Sequence, residues 1–191
     1  MGAGMNVIPT DIESVLVIEP QVFEDDRGCF LETYQIHRFK SAGLGHTFVQ
    51  DNLSFSIRNT LRGLHFQVCH PQAKLIQVIS GEIFDVAVDI RHGSPTFGRW
   101  VGIHLTEHKK QQVFIPEGFA HGFCVLSDSA HVTYKCSDYY YPDDEGGILW
   151  SDPTIGIDWP LKNPIISHKD NQLPCITEVP PEELHNPVKE S

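Results

Sequence analysis

Several signatures that would assign a compartment or a membrane partner are missing from the sequence. The five cysteines are scattered and odd in number, and no two of them form a CxxC pair. We therefore expect reduced thiols and a cytoplasmic protein, not a disulfide framework. No apolar run approaches the roughly 20 residues that a membrane-spanning helix needs, and the N-terminus lacks the basic start and apolar stretch of a signal peptide. The sequence predicts no membrane partner.

Basic residues are also scarce. The chain has 14 Lys and Arg against 25 Asp and Glu, a formal net charge of -11. Nucleic-acid binding depends on clustered cations that neutralise phosphates, so we expect no nucleic-acid partner. A small phosphorylated ligand is still compatible with this charge, because a few local arginines are enough to hold one.

Motifs for metals and cofactors are incomplete. The stretch IPEGFAH resembles the second half of a metal-cupin signature, but the HxH pair of the first half occurs nowhere, although the chain has 11 histidines. HLTEH (104–108) spaces two histidines for a helix, whereas the segment is typical of a strand that runs into a turn. There is also no Gly-rich phosphate loop and no GxSxG elbow. We expect neither a metal nor a cofactor.

Short apolar-alternating segments are abundant, and Gly, Pro, Asp or Asn separate them. They predict strands within 14–20, 29–34, 47–57, 74–80, 82–90, 99–105, 111–115, 121–127 and 130–136. Such spacing favours an antiparallel sandwich or barrel. A helix is predicted over 35–43, and the segment from Asp152 is predicted to wrap the barrel as loops and short helices. The 191 residues suit a single domain, 1–191, with a flexible tail from about 180.

Two of these strands carry polar residues on one face. In EIFDVAVDI (82–90), Asp85 and Asp89 share a face with Ile83 and Ala87, and the opposite face is wholly apolar. In TFVQDNLSFSI (47–57) the even positions Gln50, Asn52, Ser54 and Ser56 are polar, and the odd positions are mostly apolar. A small barrel with a polar cavity would produce both patterns, and so would a sandwich with a wet outer face.

The run LRGLHFQ (61–67) places a charge and an imidazole in a predicted strand. Strict alternation would put Arg62 and His65 on opposite faces. Glycine inside a strand often marks a bulge or a close approach by a ligand, so Gly63 suggests that both side chains reach one cavity. Taken singly, His65 also suits a structural histidine, and Lys74, His121 and Tyr134 have equally ordinary explanations.

Eight ordered blocks of sequence identify a family. Together they closely resemble dTDP-4-dehydrorhamnose 3,5-epimerases, and the resemblance runs from about residue 5 to residue 175. The blocks are FVQDN (48–52), LRGLHFQ (61–67), GEIFDVAVDIR (81–91), GSPTFGRW (93–100), IPEGFAHGF (115–123), YKCSDYYYP (134–142), WSDPTIGIDWP (150–160) and SHKD (167–170). The resemblance implies an all-β, cupin-like jelly-roll barrel of antiparallel strands with a few short helices, and a metal-independent epimerase that forms a homodimer.

The resemblance also implies catalytic roles. The substrate would be dTDP-4-keto-6-deoxy-D-glucose, epimerised at C3 and C5 on the way to dTDP-L-rhamnose. His65 would be the general base and Asp170 its orienting partner. Tyr134 would be the general acid on the other face of the sugar, and Lys74 would stabilise the enolate oxygen. These residue types suit the reaction, because a neutral imidazole accepts a proton near neutral pH and a phenol remains protonated there.

Further positions match substrate-binding residues of the family. Arg62 and Arg27 would bind the diphosphate, since an Arg fork is a bidentate partner for phosphate. The other matches are Glu32, Gln50, Asn52 and His121. N-terminal residues of the family reach the neighbouring subunit, so Arg27 and Glu32 are expected to act in trans.

Two departures leave alternatives open. The loop FQVCHPQA (66–73) is one residue shorter than the family form and carries Cys69 and His70, and Gly146 replaces an expected basic residue. Either change would reshape the pocket without removing a proposed catalytic group. The alternatives are an epimerase that acts at only C3 or C5 of another deoxysugar, a nucleotide-sugar-binding cupin without catalysis, and a metal-dependent cupin oxygenase.

Overall fold

A computed structural model of the chain describes residues 4–185. Within that range strands greatly outnumber helices, as predicted. The strands are β1 (Met5–Pro9), β2 (Leu16–Pro20), β3 (Val22–Asp25), β4 (Gly28–Leu31), β5 (Gln50–Ile57), β6 (Leu61–Gln67), β7 (Lys74–Ser80), β8 (Glu82–Asp89), β9 (Trp100–Thr106), β10 (Gln112–Ile115), β11 (Phe119–Val125), β12 (Ser129–Cys136) and β13 (Glu145–Gly147).

Two antiparallel sheets build the barrel. One has the order β1-β2-β10-β7-β12-β5 and the other β13-β6-β11-β8-β9, while β3 and β4 form a separate hairpin. Apolar side chains of both sheets meet in one buried cluster, which includes Ile76 and Val132 from the first sheet and Ile83 and Leu105 from the second. The predicted all-β, cupin-like jelly-roll architecture is confirmed.

Strand β8 is buried on both faces, which explains its sequence. Ile83 and Ala87 point into the core between the sheets, while Phe84 and Val86 belong to a second cluster behind them. Asp85, on the face between the sheets, is fully buried and hydrogen bonded to a histidine. The polar face of β8 therefore meets a polar cavity and not bulk solvent.

The C-terminal segment covers the outside of the second sheet. Ile155, Trp159 and Ile176 are buried in the same cluster as Phe84. Short 3₁₀ helices occupy Asp170–Gln172 and Ile176–Glu178, and a third occupies Pro142–Asp144. The predicted wrap of loops and short helices is confirmed, whereas the last part of the predicted flexible tail, 186–191, lies outside the described residues.

The single α-helix of the described range, α1 (Ile36–Ser41), lies within the predicted 35–43. The side chain of Gln35 accepts the backbone N–H of Arg38 at 2.7 Å and so caps the first turn. Gly43 follows the helix with a φ of 86°, a conformation that glycine adopts without a Cβ penalty. Between residues 4 and 185, no helix has the length and apolar character that crossing a membrane requires.

Strand β5 presents its apolar side chains outward. Leu53, Phe55 and Ile57 are 67%, 55% and 54% exposed, and Ile79 of β7 is 51% exposed. We call these four residues the outer apolar face. The polar alternate positions of β5 point the other way, towards the space between the sheets.

Candidate active site

A cleft opens between the two sheets and has two adjoining parts. One part has a volume of about 480 Å³ and the other of about 370 Å³, and His65, Lys74 and Tyr134 line both. Eight of the ten residues predicted for the site line this cleft, namely His65, Lys74, Tyr134, Asp170, Arg62 and His121 in the larger part, with Gln50 and Asn52 in the smaller. The structure therefore brings together residues that are far apart in the sequence.

A bulge in β6 places two of these side chains on the cleft. The pairing with β11 sets Gly63 and Leu64 against a single residue, Gly122. Gly63 has a φ of 122°, and a Cβ there would lie 2.5 Å from the Cα of Gly122. The extra residue interrupts the alternation, so Arg62 and His65 both line the cavity. The geometry predicted from the glycine is confirmed.

His65 and Asp170 form a hydrogen-bonded pair. The Nε2 atom of His65 lies 2.9 Å from Oδ1 of Asp170, and the backbone N–H of Gly63 donates to the other carboxylate oxygen at 3.3 Å. Burial alone would raise the pKa of Asp170, but the bonds and charge of His65 and the Gly63 N–H together lower it. A carboxylate accepts only, so this contact favours the tautomer with the proton on Nε2 and the lone pair on Nδ1.

Lys74 begins β7 and directs an ammonium group into the cleft. No hydrogen bond to its Nζ occurs among the described residues. Burial lowers the pKa of Lys74, and the nearby Cys136, Asp85 and Glu145 partly oppose that shift. A desolvated cation of this kind interacts strongly with any negative charge that develops beside it.

Tyr134 approaches the cleft from the sheet that also holds Lys74, opposite the sheet that holds His65. It lies on β12, in register with Ile76 of β7 and Asn52 of β5. Burial raises the pKa of Tyr134, and the positive charge of Arg62 partly offsets the rise. The phenol is thus protonated at neutral pH and faces His65 across the space between the sheets.

A second histidine–carboxylate pair lies beside the first. Nε2 of His121 is 2.8 Å from Oδ2 of Asp85, and both residues are buried. His121 is opposite His65 in the pairing of β11 with β6, so the two imidazoles line one wall. The other oxygen of Asp85 has no hydrogen-bond partner among the described residues.

Polar side chains of β5 line the opposite wall. Ser56 accepts the Nε–H of Arg62 at 2.9 Å, which orients the guanidinium. Gln50 accepts the backbone N–H of Tyr140 and donates to Oδ1 of Asn52 at 3.0 Å. The two amides are therefore fixed in orientation, with spare N–H groups available to a ligand.

Sequence reasoning missed two residues at the mouth of the cleft. Tyr140 and Glu145 line its smaller part, and Oε1 of Glu145 lies 3.9 Å from Nδ1 of His65. The other oxygen of Glu145 accepts from the hydroxyl of Tyr140 and forms an ion pair with Lys169. The one available signal was the departure at Gly146 in DDEGG (143–147), which lies next to Glu145. Periodicity could not add to it, because β13 has only three residues.

Two predicted site residues do not line the cleft of the single chain. Arg27, on the β3–β4 hairpin, pairs with Asp25, and Glu32 pairs with Arg38. Their predicted role in trans stays a prediction. As for metals, residues 4–185 contain no group of three or more His, Cys, Asp or Glu arranged to hold an ion.

Comparisons with known proteins agree on one family. The family model described as dTDP-4-dehydrorhamnose 3,5-epimerase matches residues 9–178. A protein of that name from Methanothermobacter thermautotrophicus is 50% identical over 93% of this chain and 98% of its own length. A Streptomyces niveus relative named dTDP-4-dehydrorhamnose 3-epimerase is 41% identical over 91% of this chain and 85% of its own.

A solved structure supports the same assignment. The 3,5-epimerase of Legionella pneumophila, crystallised in complex with dTDP-4-keto-L-rhamnose, superposes with a TM-score of 0.93. It is 48% identical, and the match covers 96% of this chain and 98% of the other. The chain belongs to the dTDP-4-dehydrorhamnose 3,5-epimerase family, whose members are isomerases.

Proposed function

We propose that this chain inverts C3 and C5 of dTDP-4-keto-6-deoxy-D-glucose to form dTDP-4-keto-L-rhamnose. The observation that carries the proposal is the convergence of four groups on one cleft: a histidine held by a carboxylate, a buried ammonium and a phenol. Family membership supplies the substrate class, since the Legionella pneumophila relative was crystallised with the corresponding dTDP-sugar.

His65 removes the protons in this proposal. Both stereocentres flank the C4 ketone, so each proton can leave through an enolate. The Nδ1 atom of His65 accepts it, because Asp170 holds the other ring nitrogen and stabilises the imidazolium that forms. General-base catalysis of this kind typically contributes about 10²–10⁴-fold in rate.

Lys74 stabilises the enolate. Its ammonium has no competing hydrogen bond among the described residues, so it is available to the oxygen at C4. The donor is already in place and desolvated before the charge develops. Loss of one such preorganised group typically costs about 3–4 kcal/mol, or roughly 10²–10³ in rate.

Tyr134 returns a proton from the opposite face of the ring. Inversion requires the new C–H bond to form on the face away from the base. Tyr134 and His65 belong to different sheets and line the same cleft, which suits a sugar bound between them. The raised pKa of Tyr134 keeps the proton on the phenol until the carbanion-like enolate carbon takes it.

Arg62 would bind the diphosphate, with Gln50, Asn52 and His121 as further substrate contacts. The guanidinium of Arg62 is oriented by Ser56 and has donors left over. Local cations suffice to hold an anionic ligand in an acidic protein, since exposed charges more than about 10 Å away are largely screened by salt.

A cytoplasmic homodimer is the assembly we propose, with residues 1–191 as a single domain. The outer apolar face exposes four large side chains, and a second copy would cover them. Between residues 4 and 185 no two cysteines form a disulfide, which suits a reducing compartment. Arg27 and Glu32 would then reach the neighbouring subunit's cleft from the β3–β4 hairpin.

Subunit mixing tests the contribution in trans. We expect Arg27→Ala and His65→Ala chains to be far less active when assayed separately. After unfolding and refolding together, half of the dimers are mixed and each contains one intact site, so about a quarter of wild-type activity should return. No recovery in mixtures that contain mixed dimers by native mass spectrometry would contradict the role of Arg27 in trans.

Solvent exchange tests the reaction itself. The protein is incubated with dTDP-4-keto-6-deoxy-D-glucose in D₂O, and C3 and C5 are followed by proton NMR. Deuterium at both carbons, together with inverted product, is the expected result. Binding of dTDP without exchange at either carbon would instead indicate a binding protein that has lost the chemistry.

An epimerase acting at only one carbon is the second candidate. The Streptomyces niveus relative is named a 3-epimerase and is still 41% identical, so the family contains both activities. The shortened loop at 66–73 adjoins the cleft, and a change of pocket shape there could restrict the sugar to one pose. Deuterium at C3 alone in the same experiment would favour this candidate.

A further inference from the structure

One wall of the cleft is formed largely by a connecting segment that ends in the short 3₁₀ helix Pro142–Asp144. The segment 138–144 follows β12, and its Tyr140 lines the smaller part of the cleft. Glu145, which begins β13, lies 3.9 Å from the ring of His65. Loops are more mobile than the elements they connect, so these two side chains need an anchor to hold a defined position.

Gln67 supplies the larger part of that anchor, beside Gln50, which accepts the backbone N–H of Tyr140 at 2.9 Å. Gln67 is the last residue of β6, and its side chain is only 6% exposed. Its amide nitrogen donates to the backbone carbonyls of His70 at 2.7 Å and Tyr139 at 3.1 Å. Its amide oxygen accepts the backbone N–H of Tyr141 at 2.7 Å. Both N–H groups of the amide and one lone pair of its oxygen are therefore used. The bonds to Tyr139 and Tyr141 hold the backbone on either side of Tyr140.

A second carboxylate ties the neighbouring loop to the same segment. Asp144 accepts the backbone N–H groups of Cys69 and His70, each at 2.8 Å, and lies 3.2 Å from the ring nitrogen Nδ1 of His70. The ring of His70 packs on Tyr141 with centroids 4.2 Å apart. These contacts fix the shortened loop that carries Cys69 and His70 against the segment 138–144.

We propose that Gln67 is a positioning residue for ligand binding: its amide holds the 139–141 backbone so that Tyr140 and Glu145 meet the bound nucleotide sugar. The inference rests on the proposed function and adds to it a residue that lines the smaller part of the cleft and acts through the backbone that its amide holds. Gln67 contacts none of His65, Asp170, Lys74 or Tyr134 through a side-chain hydrogen bond. Its loss should therefore weaken binding and leave the chemical step largely intact.

Gln67→Met tests the proposal, because methionine keeps the length of the side chain and removes every hydrogen bond. We expect KM for the nucleotide sugar and Kd for dTDP to rise about tenfold, the equivalent of one lost hydrogen bond. We expect kcat at saturation to stay within about threefold, since the reacting groups are untouched. Backbone amides of 139–141 should also exchange faster in hydrogen–deuterium exchange.

Thr10→Val is the matched control. The Thr10 hydroxyl also clamps a loop, by donating to the carbonyls of Ile12 and Val15 at 2.9 Å, but no residue of that loop lines the cleft. It should leave KM and Kd unchanged. If Gln67→Met does not fold, Gln67→Asn replaces it, because the amide is kept uncharged and the shorter side chain withdraws it from the 139–141 backbone.

The outcomes separate this inference from the proposed function. Unchanged KM and Kd, or a fall in kcat alone, would overturn the role of Gln67. If the wild type binds dTDP but turns over no sugar, the proposed reaction fails, and the Kd comparison still decides on Gln67. A wild type that binds no dTDP would overturn both.

Discussion

Two histidine–aspartate pairs line the same wall of the cleft, and they differ in how the carboxylate reaches the ring. Asp170 comes from the C-terminal segment, 105 residues beyond His65, and also accepts a backbone N–H. Asp85 comes from β8, the strand next to His121, and one of its oxygens has no partner among the described residues. The side chain of His65 is 29% exposed and that of His121 is 9% exposed.

The difference indicates that the two histidines have different roles. A base must present a free nitrogen to the substrate, and the more exposed His65 does so with its carboxylate fully satisfied. Burying an unpaired carboxylate oxygen costs about 1–3 kcal/mol or more, so the His121 pair is retained at a cost to stability. We interpret it as a binding and electrostatic element, with Asp85 close enough to Lys74 to influence its pKa.

The largest expected effect separates the two histidines directly. His65→Ala removes the base and should lower kcat by about 10³-fold or more, within the usual range for general-base catalysis. His121→Ala removes a contact and should cost about tenfold. Steady-state kinetics on both variants measures the comparison. A loss of less than tenfold for His65→Ala would break the assignment of the base.

Tyr134→Phe asks whether the acid is the phenol or the second imidazole. Phenylalanine keeps the ring and removes the proton, so kcat should fall about 10²-fold. Exchange of deuterium from D₂O should persist without inversion, because His65 can still remove and return the proton on its own face. If Tyr134→Phe inverts at nearly the wild-type rate while His121→Ala does not, His121 is the acid.

Asp85→Asn distinguishes the two histidine–aspartate pairs by the pH dependence of kcat. The negative charge of Asp85 raises the pKa of Lys74 against the larger effect of burial. Without that charge the pKa of Lys74 falls further, so the ammonium loses its proton at a lower pH. The decline of kcat on the alkaline side of the pH–rate profile should therefore begin at a lower pH. Asp170→Asn should lower kcat without changing the pH at which this decline begins. A pH–rate profile from pH 6 to about pH 10 covers the window, given an ordinary lysine pKa of about 10.4.

The smallest expected effect is on stability in acid. The pKa of Asp170 is lowered in the folded chain, so its contribution is present above the unfolded value of about 3.9 and is lost as pH falls through the lower folded value. Asp170→Asn should therefore reduce the free energy of unfolding by about 1–3 kcal/mol at pH 7. The deficit should shrink below about pH 4. Urea unfolding at both pH values measures it, and an equal deficit at both would contradict the ionic role.

Much of the fold was predictable because strands have a period that the sequence displays. The segment 74–80 was predicted as a strand and forms β7 without change, and the polar alternate positions of 47–57 line the cleft as a polar-cavity barrel requires. The wet-outer-face alternative failed for β5, whose outward side chains Leu53, Phe55 and Ile57 are apolar. The mouth of the cleft was not predictable, since Tyr140 lies in a loop and Glu145 begins a three-residue strand, which is too short to show a period.

By itself, the sequence determined the all-β class, the family and most of the residues that line the candidate site, because strand periodicity and ordered motifs are local properties of the chain. Only the tertiary structure decided which residues meet. The bulge at Gly63 turns Arg62 and His65 to one side, the register of β6 with β11 sets His65 beside His121, and the C-terminal segment delivers Asp170. Register, bulges and long-range closure are decided by packing between distant segments, and no local pattern encodes the distance from an imidazole to its carboxylate.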